Sequence, residues 1–316
     1  MKISIIGAGR TRNGIGEYIG KYFHKWGGKV TSVLGTTEKT SLRASFALQR
    51  HGIQAHPYTD FDEMVKNEKP DAVVIASPSF THYEYLLKCI HSGLHIFCEK
   101  PFVWNDPMDI RKMVEDIFEK AYEKELTIAM NSQWPFSIDA YEAICGRIVI
   151  QQSNTFSIKM FPPFPGREMI PESVPHALSL LYCLLGTGEI EDLDFESDGE
   201  REMSIQFSYL FGTQACDVFI RLIFQEDPPR DFSFGLNDKI VFRSLDLENY
   251  GIYFNYGDEK IRIVDPVELS VKNFMEAAEK KTEPYIGYLH ILHNMSLLKE
   301  IHDGFSEFGK RNLWKK

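Results

Sequence analysis

Residues 2–9, K-I-S-I-I-G-A-G, decide the fold of the first half of the chain. The apolar run 3–6 is typical of a buried strand, and Gly7 and Gly9 follow it at once. Glycines at this point let the backbone approach a pyrophosphate closely, while the helical pattern that resumes near Gly14 presents its free N–H groups. The stretch therefore predicts a strand, a turn and a helix that bind a dinucleotide.

The loop after the glycines departs from the strict G-x-G-x-x-G pattern, because position 12 carries Arg12. A glycine-bearing turn without a ligand is the alternative interpretation. The position of the turn, after the first strand of an alternating pattern, favours the nucleotide. We expect the phosphates to be bound by Gly7, Gly9, Arg10, Thr11 and Arg12.

Strand-like and helix-like patterns alternate over the first 130 residues. The apolar runs lie at 30–34, 71–76, 95–98 and 126–130, and helical patterns fill 41–51, 61–67, 83–92 and 107–124. This alternation predicts an α/β fold, a Rossmann-type doubly wound parallel sheet, over residues 1–132.

Longer alternating strands begin near Arg147, and hairpin-like turns lie at 211–214 and 255–258. They predict a C-terminal α+β domain over residues 133–316, with a large open, mostly antiparallel sheet for substrate binding and oligomerisation. Helices at 267–280 and 284–302 are expected to close this second domain.

The composition excludes several classes of function. A formal net charge of −10 argues against binding to nucleic-acid phosphates. No run of about eighteen apolar residues suggests a membrane span, and Met1 leads directly into a strand-like run, so we expect a cytoplasmic protein. The five cysteines are widely spaced without a C-x-x-C pair, and we expect neither disulfides nor a metal site.

The second strand runs into Gly35-Thr36-Thr37-Glu38-Lys39, which bears on the choice of cofactor. Small polar residues such as Thr36 and Thr37, together with Lys39, suit the 2′-phosphate of NADP, whereas Glu38 is a displaced acid of the kind that binds the ribose of NAD. The sequence predicts NAD(P) with a slight preference for NADP. Thr40 as the N-cap of the next helix is compatible with both.

Two further segments follow strands whose carboxyl ends share one edge of the predicted sheet. Residues 76–82 read A-S-P-S-F-T-H, and residues 97–102 read F-C-E-K-P-F. Ligands of open α/β sheets bind at this edge. We expect cofactor contacts from Ser77, Pro78, His82 and Glu99.

The succession G-A-G, S-P-S-F-T-H and G-L-H-I-F-C-E-K-P-F resembles the Gfo/Idh/MocA oxidoreductase family, that of glucose-fructose oxidoreductase and inositol dehydrogenase. Later runs at 265–274 and 290–294 extend the resemblance over nearly the whole chain. The resemblance implies that Lys100 reaches the substrate hydroxyl, that Glu99 helps fix the nicotinamide region and that a cis bond precedes Pro101. A lysine beside a carboxylate can stabilise developing alkoxide charge during hydride transfer.

The family also carries an acid-x3-His motif, matched here by Glu172 and His176. The resemblance implies that His176 is the catalytic acid/base and that Glu172 is its neighbour or a substrate ligand. Ser173 is a plausible helix N-cap. The family more often has Asp at position 172, an Asp where Ser179 stands, and an arginine-bearing motif where this chain has N-S-Q-W-P at 131–135.

These features predict an NAD(P)-dependent dehydrogenase or reductase acting on a secondary alcohol or ketone of a sugar, a cyclitol or a related small molecule. Arg230 and His290 are weaker candidates for the same site. A catalytically silent, nucleotide-bound sensor or partner subunit is one alternative, and a cofactor-dependent lyase or glycoside-cleaving relative is another. An exposed face on the second sheet favours a homodimer or homotetramer.

Overall fold

The chain folds into two compact units. The computed structural model describes residues 1–9, 15–104, 109–246 and 251–313. The first unit comprises Met1–Ser132 and Val267–Leu292, and the second comprises Gln133–Pro266 and His293–Lys316. The sequence predicted a single boundary, whereas the chain returns to the first unit near its end.

The first unit contains a six-stranded parallel sheet with the strand order β3-β2-β1-β4-β5-β6. Its strands are β1 Lys2–Ile6, β2 Lys29–Leu34, β3 His56–Tyr58, β4 Ala72–Ile75, β5 His95–Glu99 and β6 Ile128–Asn131. Its first helices are α1 Gly16–Lys25, α2 Glu38–Gln49, α3 Phe61–Glu68, α4 His82–His91 and α5 Ile110–Glu123. The predicted doubly wound α/β fold is confirmed.

Burial explains why most of these strands were visible in the sequence. Helices cover both faces of a parallel sheet, so its central strands are continuous apolar runs, and all four residues of β4 are buried. Strand β3 was not predicted, because it is the three-residue edge strand H-P-Y. Pro57 within it lacks the N–H that a central strand needs, and the run is too short to show a period.

The second unit contains an eight-stranded sheet with the order β14-β13-β12-β11-β7-β10-β9-β8. The strands β7 and β10 pair in parallel, and the other neighbours pair antiparallel. The elements are α6 Ile138–Cys145, β7 Ser153–Met160, α7 Met169–Leu185, β8 Glu189–Asp198, β9 Glu202–Phe211, β10 Gln214–Ile223, β11 Phe232–Leu236, β12 Lys239–Asp246, β13 Gly251–Tyr256 and β14 Glu259–Ile263. The predicted mostly antiparallel sheet and both predicted hairpins are confirmed.

Strand β8 was not predicted from the sequence, E-I-E-D-L-D-F-E-S-D. Its side chains are mostly exposed, while Phe195 is buried. Acidic side chains hide the apolar period of the strand, and charges on an edge strand oppose pairing with another chain. The position of β8 at the end of the sheet accounts for its composition.

Helix α8, Pro266–Lys280, packs on the first unit. The sequence had predicted that this helix closes the second unit. Its Phe274 ring lies 6.0 Å from that of Phe23 and 5.4 Å from that of Phe97, measured between ring centroids. Lys25 of α1 also forms an ion pair of 2.6 Å with Glu268. Helix α9, Tyr288–Leu313, begins in the first unit and enters the second at His293.

Candidate functional site

The strand order of the first unit reverses between β1 and β4, which is where open α/β sheets bind ligands. The turns that leave these two strands touch each other. Gly7 has φ of +87°, and a Cβ at this position would lie 2.6 Å from both the carbonyl oxygen of Ala76 and the amide nitrogen of Ser77. Only glycine therefore fits this close approach of the two turns.

The turn after β1 lies tightly against the N-terminus of α1. A Cβ at Gly16, the first residue of α1, would lie 2.9 Å from the Cα of Ala8, so helix and turn are packed backbone to backbone. Close packing of helix and turn through glycine is what the dinucleotide-binding pattern requires, so the predicted role of Gly7 and Gly9 is compatible with this arrangement. Arg10, Thr11 and Arg12 lie outside the described residues, and their phosphate contacts remain predictions.

The N-terminus of α2 is closed by a capping box rather than by Thr40 alone. The hydroxyl of Thr37 accepts a 3.2 Å hydrogen bond from the amide of Thr40, and the hydroxyl of Thr40 accepts a 2.9 Å bond from the amide of Thr37. The N-cap is therefore Thr37, and the alternative interpretation in which Thr40 caps the helix does not hold. Both Thr36 and Thr37 are exposed.

A groove of about 230 Å³ lies beside the N-terminus of α2 and the end of β3. It is lined by Glu38, Ser41, Leu42, Pro57, Tyr58, Thr59 and Glu63. Glu38 and Glu63 place two carboxylates on this groove. A group with negative charge is therefore opposed here unless a cation accompanies it.

The turn after β4 is held by short side-chain bonds. The hydroxyls of Ser77 and Thr81 lie 2.7 Å apart, and the Thr81 hydroxyl donates a 2.7 Å bond to the carbonyl of Pro78. Ser77 is half-buried and Pro78 is exposed. Both are open to contact with a ligand, so their predicted role in cofactor binding is compatible with this arrangement.

His82 has a different environment from the other predicted cofactor ligands. It is 0% exposed, with Nε2 2.8 Å from the carbonyl oxygen of Ser77 and Nδ1 3.0 Å from that of Pro101. Burial lowers the pKa of His82, although hydrogen bonds to the backbone carbonyls of Ser77, Pro101 and Phe102 act in the opposite direction. In this structure His82 contacts two backbone turns and presents no surface for direct contact with a cofactor.

The E-K-P turn follows β5 at the same sheet edge. Glu99 and Lys100 are half-buried, and Pro101, Phe102 and Val103 are buried. The bond between Lys100 and Pro101 is cis, as the family resemblance implied. The apolar residues after the turn thus anchor its backbone, while the carboxylate and the ammonium group remain partly accessible.

Asn131 is a functional candidate that the sequence analysis named only as a departure from the family pattern. It ends β6 directly beside Glu99, is 0% exposed, and donates a hydrogen bond from Nδ2 to the Glu99 carboxylate. Its Oδ1 is buried without a hydrogen-bond partner among the described residues. The strand register would have revealed this pair, because residues at the ends of neighbouring parallel strands lie side by side.

In the second unit, Glu172 and His176 lie four residues apart on α7 and therefore on one helix face. All residues of the helix from Met169 to Leu181 are buried except Glu172 and His176, which are half-buried. The helix begins at Met169 and not near Ser173, so the predicted N-cap at Ser173 is wrong. Burial of Met169 and Ile170 extends the helix backward by one turn.

Ser179, where the family often has Asp, is fully buried on the same stripe of α7. Asn294 of α9 donates a 2.9 Å hydrogen bond to the Ser179 hydroxyl and a 2.8 Å bond to the carbonyl of Pro175. A serine therefore matches an asparagine amide at this helix contact. The departure at position 179 is accommodated within the core of the second unit.

Arg230, a weaker candidate, lies near Glu172. Burial lowers the pKa of Arg230, and the Glu172 carboxylate acts in the opposite direction. The Arg230 guanidinium donates bonds of 2.9 and 2.6 Å to the carbonyls of Gln225 and Glu226. A second arginine, Arg243, was not named in the sequence analysis. Its Cζ lies 5.5 Å from the ring centroid of Trp134, so the guanidinium contacts the aromatic ring.

Two classes of feature are absent from the described parts of the chain. No group of three or more His, Cys, Asp or Glu side chains in these parts is placed to hold a metal ion. None of the helices traced there has the length and apolar character needed to cross a membrane.

The strand order and the glycine turn at the switch point define the first unit as a Rossmann-type dinucleotide-binding fold. Residues 1–129 match the family model GFO_IDH_MocA, described as "Oxidoreductase family, NAD-binding Rossmann fold". The resemblance to the Gfo/Idh/MocA oxidoreductase family that the sequence predicted is confirmed for these residues of the first unit.

Inositol 2-dehydrogenase of Salmonella typhimurium strain LT2 is 20% identical over 163 residues, which cover 48% of this chain and 46% of that protein. The alignment thus spans about half the length of this curated relative. Among solved structures, UDP-N-acetylglucosamine 3-dehydrogenase GnnA from Acidithiobacillus ferrooxidans has a TM-score of 0.67 at 16% identity, covering 96% of both chains. KijD10, a 3-ketoreductase from Actinomadura kijaniata in complex with NADP, has a TM-score of 0.69 at 15% identity, covering 96% of this chain and 97% of that one. At these identities the likeness to the solved structures shows a shared fold over both units.

Proposed function

We propose that this protein is an NAD(P)-dependent oxidoreductase that acts on a secondary alcohol or ketone of a sugar, a cyclitol or a related small molecule. The observation that carries the proposal is the placement of the Glu99-Lys100-Pro101 turn at the carboxyl edge of the parallel sheet, on the strand next to the switch-point strand β4. The names of an inositol 2-dehydrogenase and a UDP-N-acetylglucosamine 3-dehydrogenase among the similar proteins support the same substrate class, and the name of the 3-ketoreductase supports a ketone as the reacting group.

The first unit would bind the cofactor through the turns after β1 and β4. A bound nicotinamide would supply the hydride chemistry. Lys100 would then stabilise the negative charge that develops on the substrate oxygen, since a fixed ammonium group acts strongly where water is excluded. Asn131 would hold the Glu99 carboxylate in one orientation beside it.

The second unit would supply proton exchange. His176 is half-buried on an otherwise buried stretch of α7, which leaves its imidazole accessible from one side. A histidine titrates near neutral pH and therefore suits exchange of a proton with the substrate hydroxyl. Glu172, one helical turn before it, would orient the imidazole or bind a substrate hydroxyl.

We also propose that NADP is bound in preference to NAD. No carboxylate follows β2 until Glu38, so the position that normally binds the ribose hydroxyls of NAD lacks its acid. The carboxylates of Glu38 and Glu63 act against a 2′-phosphate, and for this reason the expected preference is small. Titration with both reduced cofactors, followed by fluorescence, gives the ratio of the two dissociation constants.

Mutation of Lys100 tests the proposed activity directly. Lys100→Ala should lower kcat on the best member of a sugar and cyclitol panel by about a hundredfold or more, because loss of one charge-stabilising group typically costs that much. Cofactor affinity should stay within about threefold, since this charge is used mainly in the transition state. Lys88→Ala, at an exposed lysine of α4, is the matched control and should leave both quantities unchanged.

The same experiment extends to His176. If Lys100 and His176 serve one reacting centre, the double variant should lose much less activity than the product of the two single losses predicts. Wild-type protein that binds neither cofactor would contradict the proposal. Cofactor binding without turnover would favour the silent sensor, and product formation without net reduction of NAD(P) would favour the lyase.

We further propose that the protein self-associates through the open face of the second sheet. Phe219 on β10 and Phe242 on β12 are 43% and 57% exposed. The registers of β10, β7, β11 and β12 place both rings on one face. Light scattering should give the mass of a dimer or tetramer, and a Phe219→Asp, Phe242→Asp variant should be monomeric. A monomeric wild type at micromolar concentration would reject this part of the proposal.

A further inference from the structure

His82 joins two turns that leave neighbouring strands. Its Nε2 faces the carbonyl of Ser77 in the turn after β4, at 2.8 Å, and its Nδ1 faces the carbonyl of Pro101 in the turn after β5, at 3.0 Å. The side chain is 0% exposed. Both turns belong to the sheet edge that carries the proposed cofactor and substrate contacts.

The number of protons on the ring decides what these contacts do. Carbonyl oxygens only accept hydrogen bonds, and a neutral imidazole has a single N–H to donate. Burial opposes a doubly protonated ring and outweighs the backbone carbonyls of Ser77, Pro101 and Phe102, which favour it, so the pKa of His82 is lowered. The thiol of Cys98 lies 3.5 Å from Nδ1 and can donate to it when the proton is on Nε2. A neutral His82 therefore donates one hydrogen bond at a time, either to the carbonyl of Ser77 or to the carbonyl of Pro101.

An apolar side chain of similar size would fill the same space but would donate no hydrogen bond to either carbonyl. A buried carbonyl that loses its donor is destabilised, and its turn gains freedom to move. Pro101 directly follows Lys100 in the chain. Greater motion of the Pro101 carbonyl would therefore increase the motion of the Lys100 backbone, which is one peptide unit away. Freedom of the Ser77 carbonyl changes the turn that touches Gly7.

We propose that His82 is a positioning residue that fixes the turn of Ser77 and the turn of Lys100 relative to each other. This role rests on the proposed function, because it concerns how that site is held. The Ser77 contact sets the geometry of cofactor binding. The Pro101 contact sets the geometry of Lys100 and hence the rate of the chemical step.

Two conservative variants separate the two contacts. In His82→Gln the amide nitrogen occupies roughly the place of Nε2 and keeps a donor toward Ser77. In His82→Asn it occupies roughly the place of Nδ1 and keeps a donor toward Pro101. His82→Leu keeps neither, and His91→Leu, at an exposed histidine of the same helix, is the matched control.

Kinetics and cofactor titration provide the first measurement. His82→Gln should keep the NAD(P) dissociation constant within about twofold and lower kcat about tenfold. His82→Asn should raise the NAD(P) dissociation constant about tenfold and keep kcat within about twofold. His82→Leu should show both losses, and His91→Leu neither. A purely structural histidine would give Gln and Asn variants with parallel losses. Parallel losses, a reversed pattern, or a Leu variant equal to wild type would each overturn the proposal.

Hydrogen exchange of the protein without cofactor provides the second measurement. We expect peptides covering 76–81 to lose protection in the Asn and Leu variants, and peptides covering 98–104 to lose it in the Gln and Leu variants. Unchanged protection in the Leu variant would overturn the positioning role. Because this measurement needs no turnover, it decides the role of His82 even if wild-type protein fails to bind NAD(P), which would reject the proposed function alone.

Discussion

Replacement of Gly7 by alanine should destabilise the first unit through contact with the turn after β4. An added Cβ would lie 2.6 Å from the Ala76 oxygen and the Ser77 nitrogen, and 2.7 Å from the Ala76 carbonyl carbon. All three are backbone atoms at the end of a central strand, so no side-chain rotation can relieve the contact. The φ of +87° adds a second cost, because a residue with a Cβ resists this region.

The contact of the added Cβ and the unfavourable φ can be measured separately by comparison with a glycine that has a positive φ but no close contact. Gly93, after α4, has φ of +71° and nothing within 4 Å of an added Cβ. Gly93→Ala should therefore cost only the left-handed penalty, about 1–2 kcal/mol. Gly7→Ala should cost about 1–3 kcal/mol more, the usual range when buried atoms are forced apart. If the first unit melts cooperatively, its size of about 150–250 residues makes each kcal/mol worth about 2–4 °C, so the difference corresponds to a Tm lower by about 2–12 °C.

Urea unfolding followed by circular dichroism measures the two free energies of unfolding, and thermal melts give the two Tm values. NAD(P) titration on the same samples should show weaker binding for Gly7→Ala than for Gly93→Ala, because only the former turn lies at the switch point. If Gly7→Ala proves as stable as Gly93→Ala, the close approach of the two turns is not a constraint on the fold, and the argument from this glycine fails.

Three further predictions concern local contacts. Thr37→Ala should lower the free energy of unfolding by about 1 kcal/mol through loss of the capping box, while Thr36→Ala should change it by less than half as much in urea melts. Asn131→Asp, which sets a second carboxylate beside Glu99, should destabilise the protein more than Asn131→Ala at pH 7, and urea melts near pH 4.5 should show a smaller difference as carboxyl groups protonate. Burial lowers the pKa of His293, so the unfolded chain binds a proton that the native state does not as pH falls through about 6.5. Stability should therefore fall from pH 7 to pH 5, and a fall equally steep in His293→Gln would contradict this assignment.

The sequence predicted those features whose causes are local. Each central strand of the first unit is an apolar run because helices bury both of its faces, and each run is bounded by glycine, proline or a polar turn. The turn at Gly7 was predictable for the same reason, since its position after the first strand depends only on neighbouring residues. The E-K-P turn was identified because three residues at a strand end form a specific pattern.

Features set by distant contacts escaped prediction. The apolar face of α8 indicates that the helix must be buried, but its sequence contains nothing that selects Phe23 and Phe97 as partners. Asn131 acquires its role from the register of β6 against β5. The start of α7 at Met169 depends on burial of its first turn, which overrode the capping preference of Ser173.

The return of α8 to the first sheet makes the nucleotide-binding fold a module in two pieces. A fragment ending at Ser132 would expose the rings of Phe23 and Phe97 that Phe274 covers, and would be expected to aggregate. Chimaeras between relatives that aim to exchange cofactor preference must therefore transplant residues 267–292 together with residues 1–132. Recombination at a single crossover would break this packing, so the two pieces are expected to be inherited together.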